Sequence, residues 1–145
     1  MPDGTAGTPA SDREPGAGSE VRSWLEPRFR SVPTDLAAAV RAAVDRELEA
    51  GEAKSGESAD SADPAGSTGP VAGVLARAAL RELDRVTRME GREAALALLA
   101  ADAALTYSFE AALDDGSSPT ELAAAVGLRG ALGRRLNAAG RSSGA

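Results

Sequence analysis

An all-α fold is what this sequence predicts: a small four- to five-helix bundle with a disordered N-terminus and an internal flexible linker. Three observations carry that expectation. From Glu20 onward apolar residues recur three and four positions apart, the period of a helix face, and no β-branched or aromatic alternation suggests a strand. Alanine is the commonest residue, and it is the best helix former. Two stretches, 1–19 and 51–70, are mostly Gly, Pro, Ser, Thr, Ala and Asp with almost no large apolar side chain, so they cannot bury enough surface to offset the entropy of ordering.

The domain organisation follows from these stretches. Residues 1–19 are expected to be disordered, 20–50 to hold N-terminal helices, 51–70 to form a flexible acidic linker, 71–140 a helical core, and 141–145 a frayed tail. The first helical segment, about Glu20 to Arg30, puts Val21, Trp24, Leu25 and Phe29 on one face. Pro27 interrupts it, because proline lacks the N–H donor and crowds the preceding turn; two short turns are the alternative to one helix. A second helix, about Pro33 to Ala50, starts at a proline with Asp35 complementing its N-terminal dipole. Leu36, Val40, Val44 and Leu48 make a narrow stripe along it, and Gly51 is expected to end it. The third helix, about Val71 to Met89, has Val71, Leu75, Ala79, Leu83 and Val86 on its inner face, with Glu82 falling among them.

Gly91 separates this from a fourth helix, about Arg92 to Leu113, in an αα-hairpin. Leu98, Leu105 and Phe109 lie on one stripe of the fourth helix. Leu96, Ala100, Ala103 and Tyr107 make a second apolar face nearly opposite. A helix apolar on two sides is central to a bundle or trapped between subunits. After the turn Asp114-Asp115-Gly116, Ser118-Pro119-Thr120-Glu121 is a capping box with proline at the first helical position. That helix ends near Gly127. A last one runs from Leu128 to Ala139, weakened by Gly130 and Gly133.

Composition restricts the chemistry. Among 145 residues there is no Cys and no His. Disulfides, thiol catalysis and Cys-based zinc sites are thereby excluded, and the commonest general base and transition-metal ligand are missing. The net charge of −6 opposes binding of the whole molecule to nucleic acid or to an anionic membrane. Met1-Pro2-Asp3-Gly4 does not begin a secretory signal, and no apolar run reaches the roughly 20 residues of a membrane helix, so a cytoplasmic location is expected. Neither a metal nor a cofactor is expected.

Two constellations carry the remaining chemistry. In a hairpin turning at Gly91, Glu82 and Asp102 lie at similar heights. As a buried polar pair they could share a proton, hold magnesium or calcium, or receive a cationic ligand. The ordinary alternatives have Asp102 paired with an arginine such as Arg81 or Arg85, or facing a wet interface. Asp102, Thr106 and Glu110 also form a polar strip beside the apolar stripe. The second constellation is residues 118–139. Thr120 to Leu128 resembles the first helix and turn of a helix-turn-helix DNA-binding unit, with Ala123, Gly127 and Leu128 in the motif's places and Leu136 at a late core position. Gly133 departs from it, where the motif has a β-branched anchor. The resemblance implies Arg129, Arg134 and Arg135 as DNA contacts. Leu98 to Glu110 is also similar to a helix of trans-prenyl diphosphate synthases. Those enzymes require Asp-rich magnesium-binding motifs and a longer chain, so their activity is not expected here.

The leading expectation is therefore a non-enzymatic interaction or accessory protein that self-associates as a homo-oligomer or binds a protein partner. Its interface would centre on Leu98, Leu105, Tyr107 and Phe109. The alternatives are a DNA-binding regulator reading through residues 128–139 and a carboxylate site at Glu82 and Asp102.

Overall fold

The computed structural model describes residues 16–55 and 69–134. The N-terminal disorder, most of the linker and the frayed tail that the sequence suggests lie outside these residues. Among them the chain is all helix and turn, with no strand.

Helix α1, Ala17–Leu25, is followed by a single 3₁₀ turn, Arg28–Ser31. Pro27 sits between them at φ −66°, so the expected interruption divides the segment into two short pieces. The helix begins three residues earlier than the sequence suggests, inside the stretch assigned to disorder. Docking explains this: a Cβ on Gly18 would meet the Leu48 side chain at 3.0 Å, so glycine there lets the first turn lie close against its neighbour. Val21, Leu25 and Phe29 are buried, and Trp24 is half-buried.

Helix α2, Thr34–Ser55, carries Asp35 in its first turn, and the Ala37 N–H donates to the Pro33 carbonyl at 3.0 Å. Gly51 does not end it. The helix runs on to Ser55, with residues 51–53 exposed. One glycine costs a helix interior only about 1 kcal/mol, and the surrounding Glu49, Ala50, Glu52, Ala53 and Lys54 are good helix formers. Ala37, Val40, Ala43, Val44 and Glu47 form its buried face.

Helices α3, Pro70–Val86, and α4, Gly91–Asp114, form the expected αα-hairpin and make the most extensive contact in the molecule. Gly91 enters α4 at φ +62°, a left-handed conformation that favours glycine and reverses the chain in a short break. α3 touches α1, α2 and α4, while α4 touches α2, α3 and α5 (Pro119–Ala125), so the hairpin is the spine of the bundle. α5 carries the predicted capping box: Ser118 Oγ accepts from the Glu121 N–H at 3.1 Å, and Glu121 Oε2 accepts from the Ser118 N–H at 2.7 Å. Gly127, at φ +62°, then turns the chain into the helical residues 128–134.

The core is built from small side chains. Ala72, Ala76, Ala78, Ala79, Ala100, Ala104 and Ala112 are fully buried, and the largest wholly buried residues are Leu25, Leu75 and Leu122. Small residues let helix axes approach closely. Each contributes less apolar burial than a Leu or Phe, so a longer line of contact makes up the stabilisation.

Candidate interaction surface

The outer face of α4 carries three of the large apolar side chains that the described residues leave exposed. Leu98, Leu99 and Leu113 are 49%, 55% and 61% exposed, and Leu105 and Phe109 beside them are half-buried. The local cause is the helical period. Ala97, Ala100, Ala101, Ala104, Ser108, Ala111 and Ala112 turn inward, which places Ala95, Leu99, Asp102, Thr106 and Leu113 outward on the same helix. Single exposed leucines are ordinary on protein surfaces; a row of them along one helix is not.

Of the four residues expected at an interface, Leu98, Leu105 and Phe109 lie on or beside this face, and Tyr107 does not. Tyr107 turns inward, where its ring stands edge-on to Trp24 and Phe29 with centroids 6.2 and 6.1 Å away. Burial, reinforced by the nearby Glu110 carboxylate, raises its phenol pKa above the ordinary value. It is a packing residue that holds the N-terminal segment to α4. Arg28 completes that attachment. Its guanidinium stacks on Trp24 at 3.4 Å, donates to the Trp24 carbonyl at 3.0 Å, and pairs with Asp114 at 2.8 Å and Glu110 at 3.5 Å. The Trp24 Nε1–H donates to the same Asp114 carboxylate at 3.1 Å. An acid in the last turn of a helix opposes the macrodipole, and Arg28 offsets that cost. The sequence identifies Trp24 and Phe29 as clamps; their partners, on a helix some 80 to 90 positions away, follow only from the tertiary fold.

Glu82 and Asp102 do not form a buried pair. Glu82 is buried as its position among apolar residues suggests, but it faces α2, where Arg46 reaches its Oε1 at 2.5 Å. Arg85 approaches its Oε2 at 3.5 Å. Asp102 is exposed on the outer face of α4 and makes no ion pair among the described residues, with Arg81 or Arg85 or any other. The rotation of α4 is responsible: its alanine face is the one that fits against α3, so the Asp102 stripe turns to solvent. The described residues contain no group of three or more acids placed to hold a metal ion.

The sequence reading missed the counterpart of Glu82. Glu47, equally buried, accepts from Arg77 Nε at 2.9 Å and also from Arg81. α2 and α3 therefore exchange charges in both directions, a carboxylate from each meeting guanidiniums from the other. The signal was present in the spacing, since Glu47 falls three and four residues after Val44 and Ala43. A cleft of about 160 Å³ opens beside Glu82, walled in part by Ala39, Ala42, Leu96 and Ala97. The two carboxylates that line it, Glu82 and Glu93, are both paired with arginine.

At the C-terminal end Leu122, Leu128 and Ala131 are buried, and Arg129 and Arg134 are exposed. Gly133 is half-buried. Arg135 and Leu136 lie outside the described residues.

The molecule is thus an all-α bundle organised on an αα-hairpin, with an apolar outer face on one arm. Compared with protein families, with curated proteins and with solved structures, the chain matches none of them.

Proposed function

We propose that this protein is a non-enzymatic helical interaction module that associates through the outer face of α4, with itself or with a protein partner. The observation that carries the reading is the row Leu98, Leu99 and Leu113, flanked by half-buried Leu105 and Phe109. Covering such a row gives the association its free energy, at about 25 cal/mol per Å² of apolar surface removed from water. A sequence without His or Cys, whose described residues bury two carboxylates that are both held by arginine, fits a binding role better than a catalytic one.

The test uses the full chain and the double variant Leu99→Glu/Leu113→Glu. Both positions are exposed, so the variant keeps the helical circular dichroism of the parent. The parent assembles, with itself in sedimentation or with a captured protein, and the variant loses that assembly. A parent that sediments as a monomer and retains no protein that the variant loses would sink the reading.

DNA binding through residues 118–139 is the second reading. It is favoured by the capping box on Ser118 and the left-handed turn at Gly127, which join two short helices with Arg129 and Arg134 exposed on the second. Fluorescence anisotropy with a generic duplex at low salt tests it. Binding that survives Arg129→Ala/Arg134→Ala/Arg135→Ala rules it out.

A further inference from the structure

We infer that the occupant of the α4 face is α4 of a second copy, packed antiparallel about a two-fold axis at the level of residue 104. This rests on the proposed interaction face and names its partner.

The spacing supports a coiled-coil seam. Ala95, Leu99, Asp102, Thr106, Phe109 and Leu113 are separated alternately by four and three residues, the period that keeps a stripe facing one neighbouring helix. All but the half-buried Phe109 are exposed. Within the 24 residues of α4 the seam from Ala95 to Leu113 runs about 27 Å at 1.5 Å per residue.

The direction is decided by which residues meet. In the antiparallel arrangement Leu99 opposes Phe109 of the second copy, and Leu113 opposes Ala95, so a large side chain meets an aromatic one or a small one. The Thr106 hydroxyl of each copy donates to the Asp102 carboxylate of the other, satisfying the one charge in the middle of the seam. Along one flank Leu105 meets Leu105 across the axis. Parallel packing would place Asp102 on Asp102 and Arg92 on Arg92, two like-charge contacts along the seam. A two-fold, self-complementary interface is also the commonest closed arrangement of identical chains.

A lipid surface fits the same face poorly. Contrary to the expectation that no apolar run reaches membrane length, α4 is long and apolar enough to cross a membrane by length and composition, but Asp102 and Glu110 lie on its uncovered side, and its alanine side is occupied by α3. A carboxylate facing hydrocarbon is costly.

The absence of cysteine makes the test direct, because any introduced thiol is unique. Sedimentation equilibrium of the full chain should give a dimer, weakened about 100-fold or more by Leu99→Glu/Leu113→Glu through the loss of two buried leucines. Under mild oxidation the Leu105→Cys variant should form a disulfide-linked dimer. An equimolar mixture of Ala95→Cys and Leu113→Cys chains should form the mixed dimer. Leu99→Cys alone should not, since its two copies would stand about 15 Å apart along the axis. Efficient self-linking of Leu99→Cys would mean parallel packing and overturn the inference. So would a monomer at every concentration. If that monomer still captured a protein lost by the glutamate variant, the interaction face would stand while the second copy was ruled out. If it captured nothing, both would fall.

Discussion

The two arms of the hairpin draw on the same small set of residues and bury them in opposite ways. In α3, six consecutive residues from Val71 to Ala76 are buried, so every side of that half of the helix is covered, and arginines occupy the positions that reach water. In α4 most of the alanines are buried, while Leu98, Leu99 and Leu113 face out. Residue hydrophobicity alone would orient α4 the other way. Close approach of two backbones needs small side chains on both sides, and α3 has the buried Ala72, Ala76 and Ala79 to set against those of α4. Alanine is inside because it is small. The leucines are left facing out.

The sharpest way to break this comparison is to truncate a leucine on each arm. Leu75 on α3 is fully buried, and Leu75→Ala should cost about 3 kcal/mol through lost transfer energy and the cavity left behind. Leu99→Ala on α4 should change the stability of the isolated chain by no more than about 0.5 kcal/mol. Urea denaturation at a concentration where the chain is monomeric measures both. Equal effects at the two positions would mean that the outer face of α4 is covered within a single chain.

A second test adds volume instead of removing it. Ala104 is fully buried on α4, so Ala104→Leu should destabilise by about 2 kcal/mol through overpacking, even though leucine is the more hydrophobic residue. Thermal unfolding reads the sign. A gain in stability would show that the alanine face has room to spare.

The charged seam between α2 and α3 sharpens the comparison further, since it lets α3 be surrounded without an all-apolar sequence. Glu47→Gln keeps the shape and removes the charge that Arg77 and Arg81 share. A cost of about 1 kcal/mol is expected, because the carboxylate is buried while the arginines remain half in water. Asp45→Asn, in the exposed pair with Arg22, should cost less than about 0.5 kcal/mol. Chemical denaturation of the two variants side by side checks the difference.

What could be read beforehand was local. The hairpin at Gly91 and the capping box at Ser118 rest on residues within a few positions of one another, and both stand in the structure. The split at Pro27 is of the same kind. Facing was harder. Two apolar stripes on α4 established that it has neighbours on more than one side, but not which stripe packs within the chain, because that depends on the shape of α3. Glu82 was located on a buried face from its spacing alone. Its partner Arg46 is 36 positions away on another helix, so pairing it with Asp102 followed hairpin height and missed the rotation of α4. Gly51 misled for a simpler reason: a helix-ending residue ends a helix only where its neighbours do not favour carrying on.

The smallest expected effect concerns α5, whose seven residues depend on local chemistry more than either arm does. The Glu121 carboxyl pKa is lowered, first because it accepts the Ser118 backbone N–H and then through the Ser118 side chain. A folded-state pKa below the unfolded one means that the unfolded chain holds the proton more tightly. The capping contribution is therefore fully present above the unfolded carboxyl pKa and is lost as pH falls through the folded one. Amide exchange at Leu122 and Ala123, compared with that at Ala100 in α4 and corrected for the intrinsic pH dependence of exchange, should lose protection selectively as Glu121 is protonated. Glu121→Gln retains an acceptor without the charge, so it should remove the pH dependence while leaving part of the protection. If Glu121→Gln exchanged with the same acid profile as the parent, the box would not be what holds the start of α5, and the packing of Leu122 would have to carry it alone.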